Sequence, residues 1–304
     1  MGPLFLTGAT GFVGRRLLER LPPAQHSEVR CLTRHPAQLP ATRGDGIRLE
    51  SVVGDLTSPD RWAERLAGVE TVLHLGALTG KARGESFEAV NHVATRGLLA
   101  RARAAGVTRF IFVSSVAVGF PDQRHYPYAH SKARAEQAVL ASGLDTLIVR
   151  PTMVLGPGSA VLTGLSRLAT APAGIVFGAG KLPVQPIHVD DLADLLIAAL
   201  ALQPLGGRTV DAGGAEVLEL NELLRQIRVR ATGRPGPMLH LPLAPIRAAL
   251  AAIEPLAFSL LPFTAGQLAS FANAGTARPD PLVTRLHRPI LDLAAMLSTA
   301  RPDA

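Results

Sequence analysis

Leu4-Phe5-Leu6-Thr7-Gly8-Ala9-Thr10-Gly11-Phe12-Val13-Gly14 stands near the start of this chain and leads directly into Arg15-Arg16-Leu17-Leu18-Glu19-Arg20-Leu21. The apolar run Leu4–Leu6 reads as a buried strand, and the segment after Gly14 carries its leucines at helical spacing. Between them glycines recur at i, i+3 and i+6. Each place excludes a Cβ: Gly8 allows a tight turn, Gly11 the close approach of phosphates, and Gly14 the close packing of helix on strand. Strand, turn and helix in this order bring backbone N–H groups and a helix N-terminus to one point, an arrangement that binds a pyrophosphate. The first expectation is therefore dinucleotide binding, with Gly8, Thr10, Gly11, Phe12, Val13 and Gly14 as the candidate contacts.

Working outward, strand-like and helix-like segments alternate through the first half of the chain. Strands are expected at Leu4–Thr7, Glu28–Thr33, Arg48–Val53, Thr71–Leu75, Arg109–Ser114 and Thr146–Arg150, and helices at Gly14–Leu21, Pro59–Ala67, Glu85–Ala105 and Tyr128–Ser142. This alternation is that of an α/β chain with a doubly wound parallel sheet, whose ligand crevice lies at the carboxyl ends of the strands. After Arg150 proline and glycine multiply. A strand-and-helix unit at Gln185–Leu202 and a short strand near Thr209–Val210 are expected to return to the sheet. The expected division is a cofactor domain of residues 1–151 with 185–212, and a smaller substrate lobe of residues 152–184 with 213–304. Ser298–Ala304 reads as a loose tail.

Of the 304 residues 47% are apolar and only 18% charged, the composition of a globular chain. The 31 basic and 24 acidic residues leave a formal charge of +7. The basic residues are scattered as arginine singles and pairs, without the clustered, aromatic-interleaved pattern that tracks a nucleic acid, so no nucleic-acid partner is expected. Cys31 is the sole cysteine, which excludes an internal disulfide; its place in an apolar strand reads as a buried, inert thiol. The N-terminal apolar run lacks a preceding basic segment and reads as a strand rather than a leader, so the expected location is cytoplasmic. The most apolar stretch, Met238–Phe263, is interrupted by His240, Arg247, Glu254 and the prolines at 242, 245, 255 and 262. It reads as short packed helices or a surface that meets an apolar partner, and no membrane span is expected.

Chemistry is concentrated in Tyr128-Ala129-His130-Ser131-Lys132, which opens a helix pattern, and in Ser114-Ser115 at the end of the preceding strand. Tyr128 and Lys132, four apart, share a helical face, so the ammonium is expected to lower the phenol's pKa from about 10. The positive charge of an oxidised nicotinamide adds to that effect. Tyr128 then serves as acid or base for a carbonyl or alcohol, with Ser115 hydrogen-bonding the same oxygen. At the end of the second strand, where a carboxylate would select NAD, the chain has Arg34. A guanidinium there forks onto a 2′-phosphate, which favours NADP over NAD, with Arg15 adding to the same anion.

The histidines form no HxxxH or HExxH pattern and no metal is expected. His74 reads as a hydrogen-bonded core residue, His130 as peripheral, and Asp190 or Asp191 of His188-Val189-Asp190-Asp191 as a helix cap.

Taken together, the chain resembles the extended short-chain dehydrogenase/reductase superfamily, its NAD(P)-dependent epimerase/dehydratase branch in particular. The resemblance is carried by TGATGFVG at 7–14, GDLTSPD at 54–60, VLHLGA at 72–77, Asn91, FVSSVAV at 112–118, YAHSK at 128–132, RPTMVLGPG at 150–158 and IHVDDLADLL at 187–196. It covers almost the whole chain, with specific motifs in the first two thirds. It implies a Rossmann fold with a C-terminal substrate lobe and the catalytic residues Ser115, Tyr128 and Lys132, with Lys132 also holding the nicotinamide ribose. It further implies that Asp55 and Leu56 line the adenine, that Gly76-Ala77 lies beside the cofactor phosphates and ribose, and that a homodimer forms. Gly119-Phe120 replaces the Tyr-Gly that relatives commonly carry, and the C-terminal lobe is unusually apolar for a hydrophilic nucleotide-sugar. The expected activity is an oxidoreductase or epimerase acting on a secondary alcohol or ketone of a small-molecule substrate, either lipophilic or a nucleotide-sugar. The alternative is a non-catalytic NADP(H)-binding accessory or sensor protein that docks a partner through its apolar lobe.

Overall fold

The computed structural model describes residues 2–39, 46–261, 263–283, 286 and 288–299. Seven parallel strands form one sheet: β1 (Leu4–Thr7), β2 (Glu28–Thr33), β3 (Arg48–Val53), β4 (Thr71–His74), β5 (Arg109–Val113), β6 (Asp145–Pro151) and β7 (Arg208–Ala212). Their spatial order is β7-β6-β5-β4-β1-β2-β3. The chain thus builds outward from β1 to β3, then crosses to the other side and builds from β4 to β7. The crevice between β1 and β4 is the switch point, where an open α/β sheet binds its ligand.

Period-two alternation assigns the apolar residues of β1 to opposite faces. Leu4 and Leu6 join one core with Leu17, Leu192 and Leu196, while Phe5 joins the other with Trp62, Leu98 and Phe112. Helix α1 (Phe12–Arg20) covers the first face, and the other face is covered by α2, a continuous run of Gly84–Phe87, a π-helical segment Glu88–Val93 and Ala94–Ala104, together with α3 (Pro127–Leu140).

The second part holds α4 (Ala160–Thr170), α5 (Val189–Leu200), α6 (Leu220–Thr232), α7 (Leu243–Ala257) and α8 (Leu293–Thr299). Of these α5 packs on α1, where Arg20 is bidentate to Asp194 at 2.7 and 2.6 Å. The remainder forms a lobe around Leu155, Leu162, Leu223, Leu224 and Leu293, stitched by short ladders such as Gly174–Phe177 with Met238–Leu241. A smaller cluster of Phe177, Leu250, Ala265 and Leu268 lies under α7.

Four expectations need correction. Pro59–Ala67 is not one helix but two 3₁₀ turns, Pro59–Arg61 and Ala63–Leu66. Trp62 between them leaves helical geometry (φ −135°) to bury its ring, and its Nε1 donates to the Asp55 carbonyl at 2.8 Å. From Gln185–Leu202 the helix covers the sheet, but Ile187–His188 pairs with Val154–Leu155 outside it, because β5 and β7 already occupy both edges of β6. The cap of α5 is neither aspartate: His188 Nδ1 accepts from the Asp190 N–H at 3.1 Å, while Asp190 binds Arg16 and Asp191 binds Arg288. Ser298 and Thr299 belong to α8, whose Leu293, Met296 and Leu297 are buried. Residues 300–304 and Pro262 lie outside the described residues.

Candidate active site

The glycine turn meets the β4 loop at the switch point. Gly8 has φ +76°, and a Cβ on it would lie 2.8 Å from the Gly76 amide nitrogen. Gly76 in turn donates its N–H to Thr7 Oγ1 at 3.0 Å. A Cβ on Gly14 would lie 2.2 Å from the Gly8 carbonyl, so here the helix packs on the turn itself. Gly11 is the N-cap residue of α1; among the described residues no side chain caps that end, and the first turn holds no acidic residue. Thr10, Phe12 and Val13 stand half-buried around it. A helix start stripped of side-chain partners and walled by three glycines fits a dinucleotide pyrophosphate. His74, on β4 beneath the turn, is fully buried between Thr7 Oγ1 (2.6 Å) and Thr95 Oγ1 (2.8 Å), and burial pushes its pKa down to about 3. It is a core residue.

Arg34 and Asp55 follow the carboxyl ends of β2 and β3 and face each other at 3.7 Å. Asp55 accepts from the Thr57 amide (2.8 Å) and hydroxyl (2.6 Å), which hold its carboxyl below the ordinary range. Arg34 is 70% exposed, so its guanidinium has room to engage a ligand phosphate. Leu56 packs against the second core, and Ala77 is exposed in the β4 loop. Arg15 donates to Gln38 at 3.2 Å.

At the end of β5 Ser115 accepts from the Ala117 N–H at 3.2 Å and is hydrogen-bonded to Tyr128, the second residue of α3. Burial pushes the Tyr128 phenol up to about 12, against the lowering effect of the Ser115 bond. Lys132 is buried and lowered to about 7. Its ammonium donates to the Val113 carbonyl at 2.6 Å and lies 4.1 Å from the centre of the Phe112 ring. The expected depression of the Tyr128 pKa by Lys132 is therefore corrected: the protein's own groups leave Tyr128 a protonated acid, because desolvation outweighs its neighbours and Lys132 is turned to the end of β5.

Tyr128 lines a cavity of ≈ 280 Å³ between the β4 loop and the C-terminal lobe, with Phe87, Tyr126, Pro127, Pro255 and Phe258 among its walls. The Phe87 and Tyr126 rings stand 5.9 and 5.8 Å from the Tyr128 ring. Phe120, of the Gly119-Phe120 pair that stands where relatives commonly carry Tyr-Gly, stacks on Tyr126 at 6.4 Å.

Two further residues shape the site. Asn91 is buried in the π segment of α2, accepts from the Leu78 N–H at 2.7 Å, and donates to the Leu78 carbonyl at 3.0 Å and to Ser131 Oγ at 3.1 Å. It ties the β4 loop to the helix of Tyr128; its signal in the sequence is a polar residue on an otherwise core-facing helix position. His125, at φ +58°, lines the same cavity, and no local pattern announces that conformation.

The profile of the NAD(P)H-binding family matches residues 8–202. A ceramide reductase of Caulobacter vibrioides is 39% identical over 207 residues, 67% of this chain and 63% of that protein. The chain thus spans less than two thirds of that relative's length. A 2-alkyl-3-oxoalkanoate reductase of Stenotrophomonas maltophilia is 29% identical over 76% of each chain. Among solved structures, MoeE5 in complex with UDP-glucuronic acid and NAD superposes with a TM-score of 0.74 at 23% identity, covering 98% of this chain and 97% of that one.

Proposed function

The chain belongs to the NAD(P)H-binding family, in the extended short-chain dehydrogenase/reductase superfamily, and from that premise we propose that it is an NADPH-dependent reductase of a lipophilic ketone. The observation that carries the reading is Tyr128, bonded to Ser115 and protonated up to about 12, on the wall of an aromatic and proline-lined cavity. When bound, the nicotinamide supplies the hydride. Ser115 and Tyr128 hold the carbonyl oxygen, and Tyr128 gives it the proton that completes the alcohol. Lys132, lowered to about 7 by burial, would hold the nicotinamide ribose. Gly8–Gly14 cradle the pyrophosphate, Gly76-Ala77 lies beside it, and Asp55 with Leu56 lines the adenine. Arg34 selects NADP through the 2′-phosphate. The division of labour is a cofactor domain of residues 1–151 with 185–212 and a substrate lobe of residues 152–184 with 213–304, and a cytoplasmic location suits a cofactor held there.

Reduction is preferred to sugar epimerisation because the cavity is walled by the rings of Phe87, Tyr126 and Phe258 and by Pro127 and Pro255. The relatives named for ceramide and for 2-alkyl-3-oxoalkanoates support a long-chain carbonyl substrate. The test follows nicotinamide absorbance with NADPH against long-chain ketones and UDP-sugars. Wild type is expected to consume NADPH with the ketones, and Tyr128→Phe to lose about 10²–10⁴-fold in kcat while still binding NADPH. Arg34→Ala is expected to weaken NADPH about tenfold and leave NADH unchanged. Epimerisation of a UDP-sugar without net absorbance change overturns the reductase reading, and tight cofactor binding with no turnover across the panel favours the non-catalytic one.

A further inference from the structure

Helix α7 carries apolar residues on its outer face as well as its inner one. Among the described residues, Leu243–Leu260 is the one helical segment long and apolar enough to cross a membrane, with mean hydropathy 1.4. Its two charged residues both turn inward: Arg247 is 8% exposed and donates to Asp122 at 2.7 Å, and Glu254 accepts from the Ala265 N–H. Leu250 packs inward with Leu243 and Ile246, while other apolar residues face outward, with Ile253 at 46%, Leu256 at 92% and Leu260 at 86% exposed. A water-facing helix places its residues the other way round.

The helix does not span a bilayer. Arg247 and Glu254 within it are bonded to the lobe, and Leu250 anchors one side of it to Phe177, Ala265 and Leu268. We propose that its outer face docks the protein on an anionic lipid bilayer, with Leu256 and Leu260 inserted at the acyl boundary.

Charge selects this occupant over a second copy of the chain. Cations stand at the C-terminal end of this segment: Lys81, whose ammonium donates to the Leu261 carbonyl, lies 5.0 Å and the exposed Arg83 4.8 Å from the Phe258 ring, and the whole chain carries +7. The nearby carboxylates are Glu254, bound to the backbone, and Glu85. A bilayer of anionic headgroups complements the cations and the leucines together, whereas a second copy would set cation against cation. The end of α7 and the 3₁₀ turn Phe258–Leu260 that follows it supply both surfaces: Glu254, Pro255 and Phe258 line the Tyr128 cavity, and Ile253, Leu256 and Leu260 face out. A lipophilic substrate thus passes from the bilayer into the cavity without crossing water. Only that route rests on the function proposed above; the docking stands on the surface alone.

The experiment is co-sedimentation of the full chain with phosphatidylcholine vesicles, with and without phosphatidylglycerol, at low and high salt, with light scattering of the protein alone. Wild type is expected to bind the phosphatidylglycerol vesicles at least about tenfold more tightly than phosphatidylcholine alone, and to weaken with salt. Leu256→Glu with Leu260→Glu should lose binding at least about tenfold with unchanged thermal unfolding, while Leu140→Glu, on an exposed site at the end of α3, should bind as wild type. Failure of wild type to bind anionic vesicles, equal binding by the double variant, or a solution dimer that the double variant dissociates would overturn the proposal. None of these readouts requires turnover, so they fail independently of the reductase reading.

Discussion

Leu4 and Leu6 enter one core of the sheet and Phe5 the other, all fully buried, whereas along α7 Arg247 is buried and Leu256 is 92% exposed. Both regions are rich in apolar residues, but their alternation has opposite consequences. The central strand β1 is closed by β2 and β4 and by helices on both faces, so its apolar side chains have nowhere to go but inward. Helix α7 rests on a small cluster, and its polar anchors, Arg247 to Asp122 and Glu254 to the Ala265 amide, orient it. Apolar content alone therefore does not say which way a helix faces; the placement of its few charged partners does.

That contrast can be broken most directly at the glycine turn. In Gly14→Ala the added Cβ meets backbone 2.2 Å away, which cannot yield as a flexible side chain would. The expected outcome, read by calorimetry and cofactor titration, is a loss of about 3 kcal/mol of stability and of measurable NADPH binding. By contrast Gly164→Ala in α4 of the lobe meets nothing within 4 Å and should be neutral or stabilising by up to about 1 kcal/mol. Equal effects at the two sites would erase the distinction between the halves.

Acid should act on the cofactor half through His74. Its folded-state pKa is pushed down to about 3 from an ordinary 6.5, so below pH 6.5 the unfolded chain binds a proton that the folded chain refuses. Stability from this group is complete above pH 6.5 and is lost as the pH falls toward 3, by about 2–3 kcal/mol between pH 7 and 4.5. Denaturant titrations of wild type and His74→Gln at both pH values should show the smaller acid loss in the variant; parallel losses would place the acid sensitivity elsewhere.

The smallest effect sharpens the comparison from the other side. Leu256→Ser should change unfolding free energy by less than about 0.5 kcal/mol, because the side chain is already in water. A loss near the 2–5 kcal/mol of a core leucine would mean that this face is covered in solution.

Much of the fold was legible. β1, β2 and β3 match their expected bounds residue for residue, because short apolar runs between turns admit few alternatives once helices separate them. The structure brings the glycine turn and the positions of Ser115, Tyr128 and Lys132 to the carboxyl ends of the strands. What was not legible depended on distant partners. Trp62 breaks its helix to reach Asp55, His188 takes the capping role because arginines claim the aspartates, and Asn91 acts through Leu78 and Ser131. The pKa of Tyr128 turned on burial by residues far away in the chain, not on the lysine four positions along.

By itself the sequence determined the doubly wound sheet, its crevice and the glycine cradle for a dinucleotide, since these follow from local periodicity and from places where only glycine fits. Only the tertiary structure decided that burial raises the Tyr128 pKa, that the cavity beside it is walled by Phe87, Tyr126 and Phe258, and that Ile253 and Leu256 of α7 face outward. Desolvation, cavity shape and the facing of a helix arise from contacts between segments more than a hundred residues apart, such as Asp122 with Arg247, and no local pattern records them.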